Sequence, residues 1–274
     1  MPRRPDDHDD RDGQDDHVGG AGNRPVAVDP PPAPVPWGVL DAVAALIAAL
    51  VVIVLAGGAA VELLRQVTPT DLIDPLALVV SLLLLGASVL AYVRLRYPGA
   101  VTRLFGSRRP NRRDVALGVG GGVVAVVVIT LGLGTLLELT ARLFGGELPT
   151  VQQDLRRLAS DTGSAPLLLF SAAVCAPLGE ELFFRGMLYQ GLQRRWGTSV
   201  GVVVSALVFA LSHAQQGSLL ANAVVVVVIL PLGLFLAWIF QRRQSLLVPI
   251  LVHGTYNLIQ VVLLVAGPGA PSGI

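Results

Sequence analysis

From Trp37 to Ala266 the chain alternates long apolar runs with short polar links. A membrane-spanning helix needs roughly 20 apolar residues, and seven runs approach that length: 37–61, 75–93, 115–137, 165–193, 198–215, 219–240 and 246–266. The fourth is longer than a span requires, and the fifth is short. Only helices or closed barrels satisfy their backbone groups inside lipid, so the pattern predicts an all-α polytopic bundle of about seven transmembrane helices. Residues 1–36 are different material. The strings DDHDDRDGQDD and DPPPAPVP predict a disordered acidic tail followed by a Pro-rich linker of extended backbone. His8 and His17 lie among its aspartates and read as solvated. The tail is too acidic and too long to be a secretory leader.

Composition agrees with the pattern. Of the 274 residues, 53% are hydrophobic and 14% charged, against roughly a quarter charged in soluble domains. The net charge of +1, with no basic tract interleaved with aromatics, gives no reason to invoke nucleic acid. One cysteine, Cys175, excludes an internal disulfide and a cysteine zinc cluster. Flanked by Val174 and Ala176, it reads as a small buried residue.

All 20 basic residues are arginine, and their placement predicts orientation. The link between spans two and three carries Arg94, Arg96, Arg103, Arg108, Arg109, Arg112 and Arg113. The links after spans four and six carry Arg194–Arg195 and Arg242–Arg243, whereas opposite links hold Arg65, then Arg142, Arg156 and Arg157. The arginine-rich side is expected to be cytoplasmic, with the amino terminus inside the cell membrane. Gly118, Gly120, Gly121 and Gly122 open the third span; in an apolar helix that spacing predicts close packing against a neighbour. No internal repeat is visible, which counts against an inverted-repeat transporter.

Against this background a few polar residues stand out. The chain has five glutamates, and Glu180 and Glu181 lie within the fourth run, followed by Arg185. His213 ends the fifth run, and His253 and Asn257 lie in the seventh. Asp41, near the mouth of the first, is shallow enough to be solvated. Ionised groups at membrane depth are costly and usually face a partner or a cavity. Glu181 and Arg185 are four apart, on one helix face, and are expected to form a neutralising ion pair. Glu180, about 100° round the helix, is left without a local partner. Phe209 and His213 are four apart, as are His253 and Asn257.

One unpaired carboxylate, two imidazoles and an amide form a kit for hydrolysing an amide bond. A carboxylate in apolar surroundings is a stronger base than one in water, able to take a proton from a water molecule. One histidine can share that water, and the other, with the asparagine, can donate to a developing oxyanion. The same His, His and Glu set also suits a divalent metal such as zinc. Both uses are open to these residues, and no metal ligand is assigned.

The strings APLGEELFFRG, FALSH and HGTYN together resemble the CPBP family of intramembrane endopeptidases. That family includes type II CAAX prenyl proteases and the bacteriocin self-immunity proteins also called Abi. Its first motif matches Glu180, Glu181 and Arg185, its second Phe209 and His213, and its third His253 and Asn257. The order and spacing of all three make the resemblance specific over about residues 165–262. It implies a catalytic membrane domain over 165–266; the transmembrane helices over 37–137 are read from run length, and the tail over 1–36 is a departure from the family pattern. The resemblance further implies that Glu180 activates water with His213 as its partner, that His253 and Asn257 line the oxyanion site, and that Glu181 and Arg185 support them. The implied substrate is a peptide or lipidated protein at membrane depth, in contact with membrane lipid.

Two rivals belong to other classes. A proton-coupled transporter also uses membrane Glu and His, but spreads them through repeated halves. A non-catalytic scaffold or immunity protein would keep the fold and function without Glu180. The chain contains no GxSG, GxGD or HExxH motif, which disfavours the serine, aspartyl and zincin types. On the predicted boundaries His213 lies about ten ångströms in helix rise from the level of Glu180 and His253. A shared site therefore requires the fifth span to be tilted or unwound near Gly201, or a boundary shift of one turn.

Overall fold

A computed structural model describes residues 34–146, 164–214 and 218–266. Its regular structure is helical, with no strand among the described residues. Six helices are long and apolar enough to cross a membrane: α1 (Val39–Arg65), α2 (Thr70–Arg96), α3 (Arg112–Leu143), α4 (Ala165–Leu211), α5 (Leu219–Arg243) and α6 (Leu247–Ala266). The chain is thus a multi-pass membrane protein with an all-α fold. The predicted tail falls outside the described residues except for 34–36, as do His8, His17, Arg156 and Arg157.

The count of seven and the count of six meet at α4. This 47-residue helix holds both the fourth and the fifth predicted runs, joined at Gly197 with φ 85° and ψ 172°. A positive φ costs an L-residue with a Cβ, so glycine is the residue that can turn the chain here. Unwinding therefore falls at Gly197 and not near Gly201. Gly201 is helical, and a Cβ there would meet Tyr189 Cε2 at 3.2 Å and Gln193 Cβ at 3.3 Å, so its bare Cα lets the second arm fold back along the first. That arm ends at Leu211, leaving Ser212 and His213 in a turn, where the sequence predicts helix to residue 215.

α4 forms the centre of the bundle. Every residue from Leu182 to Tyr189 is buried, in a core shared with Val89 and Val93 of α2, Phe240 of α5 and Val252 and Tyr256 of α6. The outer helices turn leucine and valine outward, for example Leu55, Val128 and Leu263, as lipid contact requires. Cys175 is buried, as its apolar neighbours predict. Close packing of the glycine-rich patch is present as well. A Cβ on Gly118 would lie 2.5 Å from Leu251 Cβ, and one on Gly122 2.5 Å from Thr255 Cβ, so α3 meets α6 almost backbone to backbone.

The arginine-bearing links share one end of the bundle. Asn111 caps α3 by accepting from the Arg113 and Asp114 N–H groups, and buried Asp114 receives Arg108 Nη2 and Arg243 Nη2, each at 2.6 Å. Two links are thus tied to one carboxylate. Arg103 Nη1 donates to Pro34 O at 3.0 Å, and Arg194 Nη1 to Pro36 O. Asp41 accepts from the Tyr92 and Tyr97 hydroxyls and from Gly38 N–H, so it is bonded to protein at the mouth of α1.

Candidate active site

The first arm of α4 carries the acidic pair. Glu181 is fully buried, and its Oε1 accepts from Arg185 Nη1 at 2.8 Å, the ion pair that four-residue spacing predicts. Arg185 is equally buried; its Nη2 donates to Gly233 O of α5 at 3.0 Å. The same Glu181 Oε1 lies 3.0 Å from His253 Nδ1. An ionised carboxylate paired with arginine can only accept, so the His253 proton sits on Nδ1 and Nε2 is the free ring atom.

His213 reaches the site from the turn after α4. Its Nδ1 is 2.8 Å from Phe209 O, and a carbonyl accepts only, so this ring too carries its proton on Nδ1. Both free Nε2 atoms face Glu180: His213 Nε2 and His253 Nε2 each stand 3.9 Å from Glu180 Oε2. That oxygen is buried and has no hydrogen-bond partner. The His213 side chain is 31% exposed, Glu180 17% and His253 2%, so the group opens on the His213 side and is closed behind His253. His213, which the predicted boundaries placed at a different depth from Glu180 and His253, is brought to them by the fold-back at Gly197.

Phe209 fills the space beneath them. Its buried ring lies 4.7 Å from the His213 ring and 5.6 Å from the His253 ring, and Arg185 Cζ stands 4.5 Å from its centroid. Asn257 occupies a different position. Its Nδ2 donates to Ala172 O at 3.0 Å, in a π-helical turn, Ser171–Cys175, of the glutamate helix.

Gly233 is a contributor that the motifs do not single out. A Cβ there would lie 3.1 Å from Ala206 O and 3.1 Å from Phe209 Cδ1, so its absence lets α5 bring a carbonyl to Arg185 and support Phe209. The only sequence signal for it is glycine two residues after the mid-helix Pro231.

Residues 162–259 match the family described as type II CAAX prenyl endopeptidase Rce1-like. The match covers the segment bearing all three motifs and bears out the resemblance they carry. Among curated proteins, the "UPF0177 protein in abiGi 5'region" of Lactococcus lactis subsp. cremoris is 34% identical over 85 residues, 31% of this chain and 33% of that protein. The "Uncharacterized 24.3 kDa protein" of Escherichia coli is 33% identical over 89 residues, 32% of this chain and 39% of that protein. The "Putative membrane peptidase YdiL" of Bacillus subtilis (strain 168) is 23% identical over 100 residues, 36% and 38% of the two chains. These alignments span between a third and two fifths of each relative's length. No solved structure matches the chain.

Proposed function

We propose that this chain is an intramembrane endopeptidase in which Glu180 activates water to hydrolyse a peptide bond. The observation that carries the reading is Glu180 Oε2, buried, without a hydrogen-bond partner, and 3.9 Å from the free nitrogen of each histidine. That separation is too long for a direct hydrogen bond and suits one bridging molecule. Water held there gives a proton to Glu180 as its oxygen attacks the scissile carbonyl, while His213 Nε2 accepts its other hydrogen and fixes its direction. The carbonyl oxygen becomes negative and takes a hydrogen bond from His253 Nε2, which donates when the ring carries its second proton, with the Glu181 carboxylate as counter-charge. The C–N bond then breaks, and Glu180 returns its proton to the leaving amine.

The family match and the relative named as a membrane peptidase support this reaction class. The substrate class we propose is a peptide or lipidated protein segment within the bilayer, CAAX-like by family. The arginine-rich end faces the cytoplasm in a cell membrane on this reading. A second use of the same atoms follows from donor type. Two unprotonated imidazole nitrogens and a carboxylate oxygen are ligands that zinc takes, although among the described residues no three His, Cys, Asp or Glu side chains are spaced to hold a metal ion. Glu180, His213 and His253 would hold it, each ring oriented through its Nδ1–H as in carboxylate–histidine metal sites. A metal bound there would supply Lewis acidity and a more acidic water.

The test compares new protein termini in membranes from cells carrying wild-type protein or Glu180→Gln at matched expression. Termini present only with the wild type are expected, and they name the substrate. Identical termini, alongside a phenotype that persists in the variant, overturn the peptidase reading in favour of a scaffold.

A further inference from the structure

The glutamate helix has a proline just before its acidic pair. Ala176 N–H donates to Ser171 O, five residues back, so the next rung in that register would run from residue 177 to Ala172 O. Residue 177 is proline and has no N–H to give. Ala172 O is therefore left without that rung, inside a membrane protein where an unmet carbonyl is expensive. The side chain that meets it is Asn257 of α6, with Nδ2 at 3.0 Å.

The surrounding contacts fit the same design. Ala173 O, the carbonyl that Pro177 would leave open in ordinary helical register, faces α6 too. A Cβ on Gly254 would lie 2.5 Å from Ala173 O and 3.7 Å from Pro177 Cγ, so α6 can approach this edge only because residue 254 has no side chain. Gly254 directly follows His253, and Asn257 is one turn beyond it. The carbonyl edge opened by Pro177 is thus where α6 docks, beside the histidine that must meet Glu181.

We infer that Asn257 is a positioning residue: its amide replaces the N–H that Pro177 lacks, and so fixes α6 against the glutamate helix in the register that brings His253 Nδ1 to Glu181. This differs from a donor aimed at the substrate, and the two roles separate in a double-mutant cycle. Pro177→Ala restores a backbone N–H that can fill Ala172 O from within the helix. The activity arm rests on the peptidase reading, whereas the unfolding arm needs no substrate.

In the wild-type background, Asn257→Leu, close in shape but with no donor, is expected to lower the thermal unfolding midpoint in detergent by several degrees. It is also expected to lower kcat about 10-fold or more, with KM nearly unchanged, through a displaced His253. In the Pro177→Ala background both losses should shrink, kcat recovering at least about 5-fold relative to Asn257→Leu alone. Equal losses of kcat in the two backgrounds overturn the inference and make Asn257 a donor to the substrate. Should Pro177→Ala not fold, Asn257→Leu alone decides: an unchanged midpoint means the amide holds nothing together. A wild type that cleaves nothing, with the unfolding cycle as expected, fails the peptidase reading and leaves the tie intact.

Discussion

His253 Nδ1 stands 3.0 Å from Glu181 Oε1, and this contact decides which nitrogen of the ring is left for chemistry. Glu181 thus serves two donors in one buried place, the guanidinium of Arg185 and the imidazole N–H of His253. Its neighbour Glu180 instead turns Oε2 toward the Nε2 atoms of both histidines, 3.9 Å from each. The adjacent glutamates should therefore fail differently. Glu181→Gln leaves buried Arg185 without its counter-charge, and breaking a buried pair in this way costs about 3 kcal/mol, read as a lower unfolding midpoint and yield. Glu180→Gln should unfold within about 1 kcal/mol of wild type and lose at least about 100-fold in turnover. Matching stability losses would break the assignment of separate roles.

The two histidines differ in burial, and their variants should divide along that line. Asn in place of either can keep a donor where Nδ1–H stood but has nothing at Nε2. His213→Asn, in a partly open turn, should leave stability within about 0.5 kcal/mol and cut turnover 10-fold or more. His253→Asn should lose turnover and also lower the unfolding midpoint, because its ring is packed against Phe209 and closed from solvent. Equal midpoints for the two variants would contradict this.

Gly233 holds no reactive group, yet Gly233→Ala should impair the site. The new methyl meets Ala206 O and Phe209 Cδ1 at 3.1 Å, so either α5 withdraws its carbonyl from Arg185 or Phe209 moves under the histidines. Overpacking of this kind costs about 1–3 kcal/mol. Turnover is expected to fall while labelled peptide still binds, a split visible in kcat against KM. Wild-type kinetics would show that the contact yields without consequence.

Chelation separates the two uses of the Glu–His–His set. If Glu180 acts on water unaided, purified protein treated with a strong zinc chelator and then freed of it keeps its turnover. Loss of activity that zinc restores, with bound metal rising in step by elemental analysis, transfers the role to a metal held by Glu180, His213 and His253.

What the sequence made legible is what spacing along one helix can express. The Glu181–Arg185 pair follows from four-residue spacing, and close packing of α3 against a neighbour follows from Gly118 and Gly122, though not that the neighbour is α6. The apolar helices follow from run length, except that the fourth and fifth of the seven runs are joined in α4. The meeting of His213 with Glu180 was not legible, because it depends on where α4 turns, and that turn falls at Gly197 where the sequence reading expected unwinding near Gly201. Gly233 and the Ala172–Asn257 bond escaped for a related reason. Each acquires meaning only from a backbone atom of a helix distant in sequence, and a carbonyl leaves no trace in residue identity. Pro177 was a visible cue to one such carbonyl, but which side chain answers it is a fact of packing.

The turn at Gly197 gives the site a lever arm. From Thr198 to Leu211 the second arm of α4 has 14 residues, about 21 Å at helical rise, and His213 rides just beyond its far end. A rotation of about 3° at the joint therefore sweeps the imidazole through about 1 Å, a displacement that can cost 100-fold in rate. Gly197→Ala, which forces a side chain into positive φ, should thus reduce turnover from some 20 Å away while leaving the Glu181–Arg185–His253 cluster intact. An unchanged rate would mean that Phe209 and α5, and not the joint, set the aim. On this geometry the aim of His213 is set about 20 Å away, by a glycine joint in the longest helix among the described residues.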